Sequence, residues 1–176
     1  MAATRDIRIP ADAILSLRRT LLREVGAEAA GRALQEAGNA AGDALFDRLA
    51  RGTEADGFGG TPSASFWDRL TAVFREIGWG TVEHRGLHPG VGALDARDWF
   101  EVDPHAARPS CPFTTGVLAN ILGRVAGGEV AVLQVPLPDA EPGSCRFLFG
   151  GPQALQRLYG GLREGRDLET ALGALG

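Results

Sequence analysis

Two cysteines are the residues of this sequence best suited to chemistry, because a thiolate is both a nucleophile and a soft metal ligand. Cys111 and Cys145 are the only ones in the chain. Cys111 opens a segment of helical period, where a first helical turn would favour the thiolate, and Cys145 begins a predicted strand. The thiols could meet across the core and share a metal or form a redox pair. Alternatively, both are small buried hydrophobic residues.

Three histidines are further candidate ligands. His84 and His88 are four residues apart, but in a predicted hairpin that spacing does not direct two imidazoles to one metal. Exposed or turn-capping histidines are the simpler interpretation. Structural zinc normally takes four ligands. The candidate set would be Cys111, Cys145, His105 and Glu141.

The common catalytic motifs are absent from the sequence. All 18 basic residues are arginine, so a Walker-type nucleotide site and Schiff-base chemistry on a lysine are both excluded. Neither Gly-x-Ser-x-Gly nor His-Glu-x-x-His occurs. We therefore expect binding rather than catalysis.

Helical spacing dominates the first part of the chain. Apolar residues after Pro10 predict a helix that stops at Gly26, and a second helix follows from Ala27 to Ala50. The glycines inside this second helix indicate either close packing against another helix or a dimer seam. Thr61-Pro62 is expected to open a third helix, which ends at Gly78.

Strands in pairs alternate with helices in the remainder. Residues 79–102 predict a hairpin, with Trp99 to Val102 as its second strand. A helix with Ser110 as its N-cap follows and stops at Gly127-Gly128. Val130 to Val135 predicts a strand covered on both faces, and Cys145, Phe147 and Phe149 point to one side of the next. The tail predicts one or two short helices, and the fold class is α+β.

Composition narrows the function classes. The chain has 176 residues, a net charge of −4 and 44% hydrophobic residues, which suits one globular domain spanning residues 1–176. The acidity and the scattered arginines argue against nucleic-acid binding. No apolar run approaches the ~18 residues of a membrane span. The first residues contain no apolar segment typical of a secretory signal, so we expect a cytoplasmic protein.

The segment from residue 110 to 149 resembles the 4-vinyl reductase domain family. In that family a cysteine opens a helix with a glycine five residues later, and a Gly-x-Cys-x-Phe strand closes the following hairpin. The matching residues here are Cys111, Gly116, Gly143, Cys145 and Phe147. The order of the preceding elements agrees with the family, so the resemblance extends over roughly residues 10–165.

The resemblance implies a fold shared with small subunits of the TRAPP tethering complex, which commonly dimerise through their helices. It also implies a non-catalytic sensor or binding protein for small hydrophobic or aromatic molecules. We expect the pocket residues to be Phe66, Trp99, Phe113 and Phe147. Two alternatives are an accessory or carrier protein in bacteriochlorophyll or tetrapyrrole synthesis, and a TRAPP-like structural adaptor.

One position departs from the family pattern. Many members carry another cysteine near the end of the strand before the turn, and some use such cysteines to bind zinc. The matching position here is Leu137. Zinc on Cys111 and Cys145 is therefore possible but lacks a sulfur ligand.

Overall fold

A four-stranded antiparallel sheet lies between two layers of helices. A computed structural model describes residues 9–51, 63–103, 105–106, 110–137 and 141–176. Its helices are α1 (Ala11–Ala50), α2 (Ala64–Glu76), α3 (Pro112–Ala126), α4 (Pro152–Arg163) and α5 (Leu168–Gly173). Its strands are β1 (Thr81–His88), β2 (Val91–Arg97), β3 (Ala131–Val135) and β4 (Cys145–Gly150). The strand order is β1-β2-β4-β3.

Each face of the sheet has its own apolar core. On one face, Leu94, Cys145 and Phe147 pack beneath α1, α2 and α3. On the other, Ala93 and Leu148 pack against α4 and α5. This alternation along β4 confirms the predicted inward side of Cys145, Phe147 and Phe149. The α+β class predicted from the sequence is therefore confirmed.

The break predicted at Gly26 is present. Within α1 the backbone of Gly26 is not helical and has φ 78° and ψ 168°, a conformation that favours glycine. Residues 11–25 therefore form a separate half of α1. In this N-terminal half only Leu15 and Arg18 are buried, so it makes few contacts with the rest of the chain.

Glycines allow α1 and α3 to cross at close range. A Cβ at Gly38 would overlap the carbonyl oxygen of Phe113, and a Cβ at Gly116 would overlap that of Gln35. At Gly42 it would lie 2.6 Å from the Cβ of Asn120. Of the two interpretations of this glycine-containing helix, close packing within the chain is the one observed.

The predicted strand at residues 99–102 is wrong. The strand that pairs with β1 is β2, and the chain then turns at Asp98, which has φ 50°. The Trp99 amide donates to the carbonyl of Gly143, and the Phe100 amide donates to that of Trp79. The sequence of β2 shows no alternation because successive residues from Ala93 to Asp95 are buried on both faces.

Helix starts also differ from the sequence expectation. Ser110 is not the N-cap of α3, since Cys111 occupies that position and makes no side-chain cap hydrogen bond. Thr61 and Pro62 lie outside the described residues, and α2 begins after Ser63, whose hydroxyl accepts from the Phe66 amide. The stop at Gly127 is confirmed, as Gly127 adopts the left-handed conformation.

Two further features follow the sequence closely. The predicted strand at Val130 to Val135 is β3, an edge strand whose two faces meet α3 and α4. The tail contains two helices, α4 and α5. Among the helices described, none is both long and apolar enough to cross a membrane.

We predict that Gly116→Ala destabilises the protein by about 2–3 kcal/mol, because the new methyl group would force α1 and α3 apart. Gly31→Ala is the matched control: Gly31 also lies within a helix, but nothing is within 4 Å of its Cβ position. This control should be neutral or up to ~1 kcal/mol more stable. Urea unfolding measures both, and equal free energies of unfolding would contradict the close crossing.

Candidate ligand-binding site

A buried carboxylate holds the start of α3. Glu101 is fully buried, and its Oε1 accepts from the Phe113 amide at 2.8 Å. Its Oε2 accepts from the Thr114 amide at 2.8 Å and from the Thr114 hydroxyl at 2.7 Å. The free N–H groups and the dipole of a helix start favour a negative charge there. Glu101 therefore acts as the cap that Cys111 does not provide.

The same threonine connects Glu101 to a tryptophan. The indole Nε1 of Trp99 donates to the Thr114 hydroxyl oxygen at 2.9 Å, and that hydroxyl donates onward to Glu101. Trp99 is itself buried, so its N–H would be costly to leave without an acceptor. The Trp99–Thr114–Glu101 chain fixes the orientation of the indole ring.

Burial and hydrogen bonding shift the pKa of Glu101 in opposite directions. Desolvation raises the pKa of Glu101, while the hydrogen bonds from Thr114 and Phe113 and the charge of Arg18 partly oppose that rise. Arg18 is buried and donates to the backbone carbonyl oxygen of Glu101 at 3.3 Å. This contact connects the N-terminal half of α1 to the site.

Aromatic rings surround Trp99 on the face of the sheet that is covered by α1, α2 and α3. Their centroids lie 5.3 Å away for Phe74, 6.2 Å for Trp79 and 6.0 Å for Phe147. The first two are edge-to-face contacts, an arrangement favoured by the ring quadrupoles. We call the six rings in mutual contact here the aromatic cluster: Phe74, Trp79, Trp99, Phe100, Phe113 and Phe147.

Three members of this cluster are only half-buried. Trp79 lies 4.5 Å from Phe100 and 5.8 Å from Phe113, measured between ring centroids. Phe100 and Phe113 are 6.2 Å apart. These three rings, the outer rings, are partly exposed, whereas Trp99 is buried. Their displacement would expose an apolar surface to an incoming molecule.

The predicted pocket residues fall in one region of the molecule. Phe66, Trp99 and Phe147 belong to the same buried core, and Phe113 packs against it. Trp99 and Phe147 are in direct ring contact, whereas Phe66 makes a ring contact with Trp67. That these residues bind a ligand stays a prediction.

The sequence left open whether the two thiols meet across the core or are only buried, and in the structure they are neighbours within the core. Cys111 and Cys145 are buried and free, and their side chains are hydrogen-bonded to each other. This bond, burial and the nearby charge of Glu101 raise the pKa of the Cys111 thiol well above its usual range. The thiolate expected at the helix start is therefore not favoured, because the hydrogen bond with Cys145 and burial both raise the pKa of the Cys111 thiol.

The described residues do not fit a four-coordinate zinc ion. No group of three or more histidine, cysteine, aspartate or glutamate side chains lies close together within the described ranges. His105 and Glu141 are thus not brought to the thiol pair. The backbone N–H of Cys111 donates to the Gln134 side-chain oxygen at 2.6 Å. The side chain beside the thiols is therefore an amide.

The other histidines have structural contacts. His84 stacks on Trp67 with 4.0 Å between ring centroids, and burial lowers the pKa of His84. The Nδ1 atom of His88 accepts from the Gly90 amide at 3.2 Å, within the hairpin turn. Turn capping, the interpretation favoured by the sequence, describes His88 well.

A concave surface lies along the crossing of α1 and α3, away from the aromatic cluster. It is an open groove of about 420 Å³. Four of its six lining residues, Arg32, Gln35, Glu36 and Asn39, have charged or amide side chains, and the other two are Gly116 and Ala119. The aromatic cluster has no such side chains, and we therefore take it as the candidate site for an apolar ligand.

Sequence reasoning missed the polar part of the site. Glu101, Thr114 and Arg18 were not predicted as functional residues, although they hold Trp99 and Phe113 in place. The available signal was a single acidic residue directly after Trp99-Phe100, at the end of an aromatic segment. An acid in that context is a candidate cap for a helix that begins nearby.

We predict that Thr114→Val costs about 2 kcal/mol or more of stability, because it removes the acceptor of the Trp99 N–H and one donor to Glu101. Thr115→Val is the matched control on the same helix, where the hydroxyl donates only to the Pro112 carbonyl. That variant should cost about 1 kcal/mol or less. Urea unfolding followed by tryptophan fluorescence measures both. Equal losses would contradict the role of the Trp99–Thr114–Glu101 chain.

Sequence comparisons identify no relative of this chain. No protein-family model matches it, and neither does any curated protein. Solved structures do match. One is the phenol-responsive sensory domain of the transcription activator PoxR, solved with phenol. It is 18% identical, with a TM-score of 0.62 over 84% of this chain and 77% of that chain.

Two other structures show weaker likeness. A vinyl-4-reductase family protein from Methanocaldococcus jannaschii is 14% identical, with a TM-score of 0.46 over 83% of this chain and 82% of that chain. A structure from work on the mechanism of H-NOX activation is 11% identical, with a TM-score of 0.48 over 85% and 76%. The chain therefore shares its fold with the PoxR sensory domain, while membership of the 4-vinyl reductase family stays a prediction.

Proposed function

We propose that this chain is a non-catalytic sensory or binding domain for a small hydrophobic or aromatic ligand. The observation that carries the proposal is the aromatic cluster, which lies between the helices and the sheet and is held by the Trp99–Thr114–Glu101 chain. Supporting it, the fold is shared with a domain whose structure was solved with phenol. A cytoplasmic location belongs to the same proposal.

The ligand would enter at the outer rings, Trp79, Phe100 and Phe113. These rings are half-buried, whereas Trp99 and Phe147 beneath them are buried. Binding would replace ring–ring contacts with ring–ligand contacts and remove apolar ligand surface from water, at roughly 25 cal/mol per Å² before ordering costs. Phe66 would contribute from the α2 side.

We predict that purified protein binds phenol or toluene, and that Phe113→Ala weakens binding at least about tenfold, equivalent to about 1.4 kcal/mol. Isothermal titration calorimetry and tryptophan fluorescence measure the affinity. Tyr159→Ala is the control, because this ring is 49% exposed on α4 and lies outside the aromatic cluster.

Three outcomes would contradict this assignment. Equal affinities of the Phe113→Ala and Tyr159→Ala variants would show that the ligand binds outside the aromatic cluster. Binding of a tetrapyrrole such as protoporphyrin in preference to small aromatics would favour the accessory or carrier role. Binding of neither class would favour the structural adaptor.

We also propose that two copies associate through the N-terminal half of α1. Ile14, Leu17, Leu21 and Val25 recur at helical spacing on this segment, and Leu17 and Val25 are 51% and 52% exposed. An apolar stripe of this length is costly in water and suits a second copy of the same helix. The resemblance to a fold that dimerises through its helices supports the same arrangement.

We predict that the protein is a dimer in solution and that Leu17→Asp produces monomers, because a carboxylate would be buried in the helix pair. Light scattering coupled to size-exclusion chromatography gives the mass. Tyr159→Asp, which changes a comparably exposed residue, should leave the dimer intact. A monomeric wild-type protein at micromolar concentration would contradict the proposal.

A further inference from the structure

The thiol pair has a geometry of its own, separate from the proposed ligand site. Cys111 occupies the N-cap of α3, and Cys145 is the first residue of β4. Their exposed fractions are 1% and 0%, and each side chain is hydrogen-bonded to the other. Two thiols in direct contact are a latent disulfide, provided that an oxidant removes two electrons.

The surroundings of the pair favour a sulfur–sulfur bond over a metal. Gln134 lies on β3 opposite Phe147 of β4, and its side-chain oxygen accepts from the Cys111 amide. The side chain that lies beside Cys111 is therefore a neutral amide engaged in a hydrogen bond, whereas a metal site would need further anionic ligands. Within the described ranges the pair has no third ligand of the usual types.

We propose that Cys111 and Cys145 are a modification site at which a hydroperoxide reversibly forms an intramolecular disulfide. One sulfur attacks the peroxide oxygen as its thiol proton passes to the departing oxygen, which gives a sulfenic acid and releases water or an alcohol. The second thiol then displaces water from the sulfenic acid. In sum, two thiols are oxidised to one disulfide, and hydrogen peroxide is reduced to two molecules of water.

The disulfide would join the start of α3 to the start of β4 across 34 positions of the sequence. Closing a loop of this length restricts the unfolded chain and stabilises the folded one. Burial of both sulfurs makes the reaction slower than that of an exposed thiol, because an oxidant must reach the core. A thiol reductant reverses the bond by exchange.

The test uses the full chain, purified under reducing conditions, desalted and then treated with hydrogen peroxide. We expect the intact mass to fall by about 2 Da, for two hydrogen atoms. Non-reducing peptide mapping should show Cys111 linked to Cys145 in the monomer, and dithiothreitol should restore the original mass. The oxidised protein should melt roughly 5–10 °C higher than the reduced protein.

Single variants serve as controls. Cys111→Ser and Cys145→Ser should gain oxygen on the remaining sulfur instead of losing hydrogen, and neither should show the rise in melting temperature. Because the mass change is measured on the wild-type chain, the test does not depend on how well the variants fold. Binding of aromatic ligands by the reduced protein is measured in a separate experiment.

Three results would overturn the proposal. The first is stoichiometric zinc in the protein as purified, released only when the thiols are modified. The second is peroxide treatment that adds oxygen to the wild-type sulfurs without linking them. The third is a disulfide between two chains in place of the link within one.

Discussion

Each backbone N–H at the start of α3 donates either to a side chain from a distant part of the sequence or to a carbonyl oxygen of the helix itself. The Cys111 amide donates to Gln134 on β3, and the Phe113 and Thr114 amides donate to Glu101. Pro112 has no N–H to satisfy. A helix start buried without such partners would cost several kcal/mol. The position of α3 therefore depends on a carboxylate and an amide that arrive from opposite sides.

This fixed helix start determines what can move in the aromatic cluster. Phe113 is the second residue of α3, and its backbone is bound to Glu101. Its carbonyl is also closely covered by Gly38 of α1. A ligand that enters among Trp79, Phe100 and Phe113 must therefore displace side chains rather than the helix. Rotation of rings about their side-chain bonds is far less costly than separation of α1 and α3.

The sequence predicted those parts of the fold whose periodicity is local. Cys145, Phe147 and Phe149 alternate cleanly, because the side chains of β4 separate two different cores. In contrast, β2 is buried on both faces and has no alternation to detect. The strand predicted at Trp99 to Val102 is absent, because the amides of Trp99 and Phe100 donate to the carbonyls of Gly143 and Trp79. Such tertiary hydrogen bonds leave no local pattern.

The polar residues of the site show that functional residues, too, are hard to predict where no local sequence pattern marks them. Contact between Cys111 and Cys145 was one of two interpretations open from the sequence, because thiols are rare and each lies at the start of an element. The role of Glu101 could not be predicted from the sequence, since an acidic residue is usually solvated. Its burial is explained only by the packing of α3 against it. Arg18 adds a further consequence. Its bond to the Glu101 carbonyl connects the proposed dimer surface to the residue that positions Phe113. The N-terminal half of α1 and the aromatic cluster therefore each contain a residue that is hydrogen-bonded to Glu101.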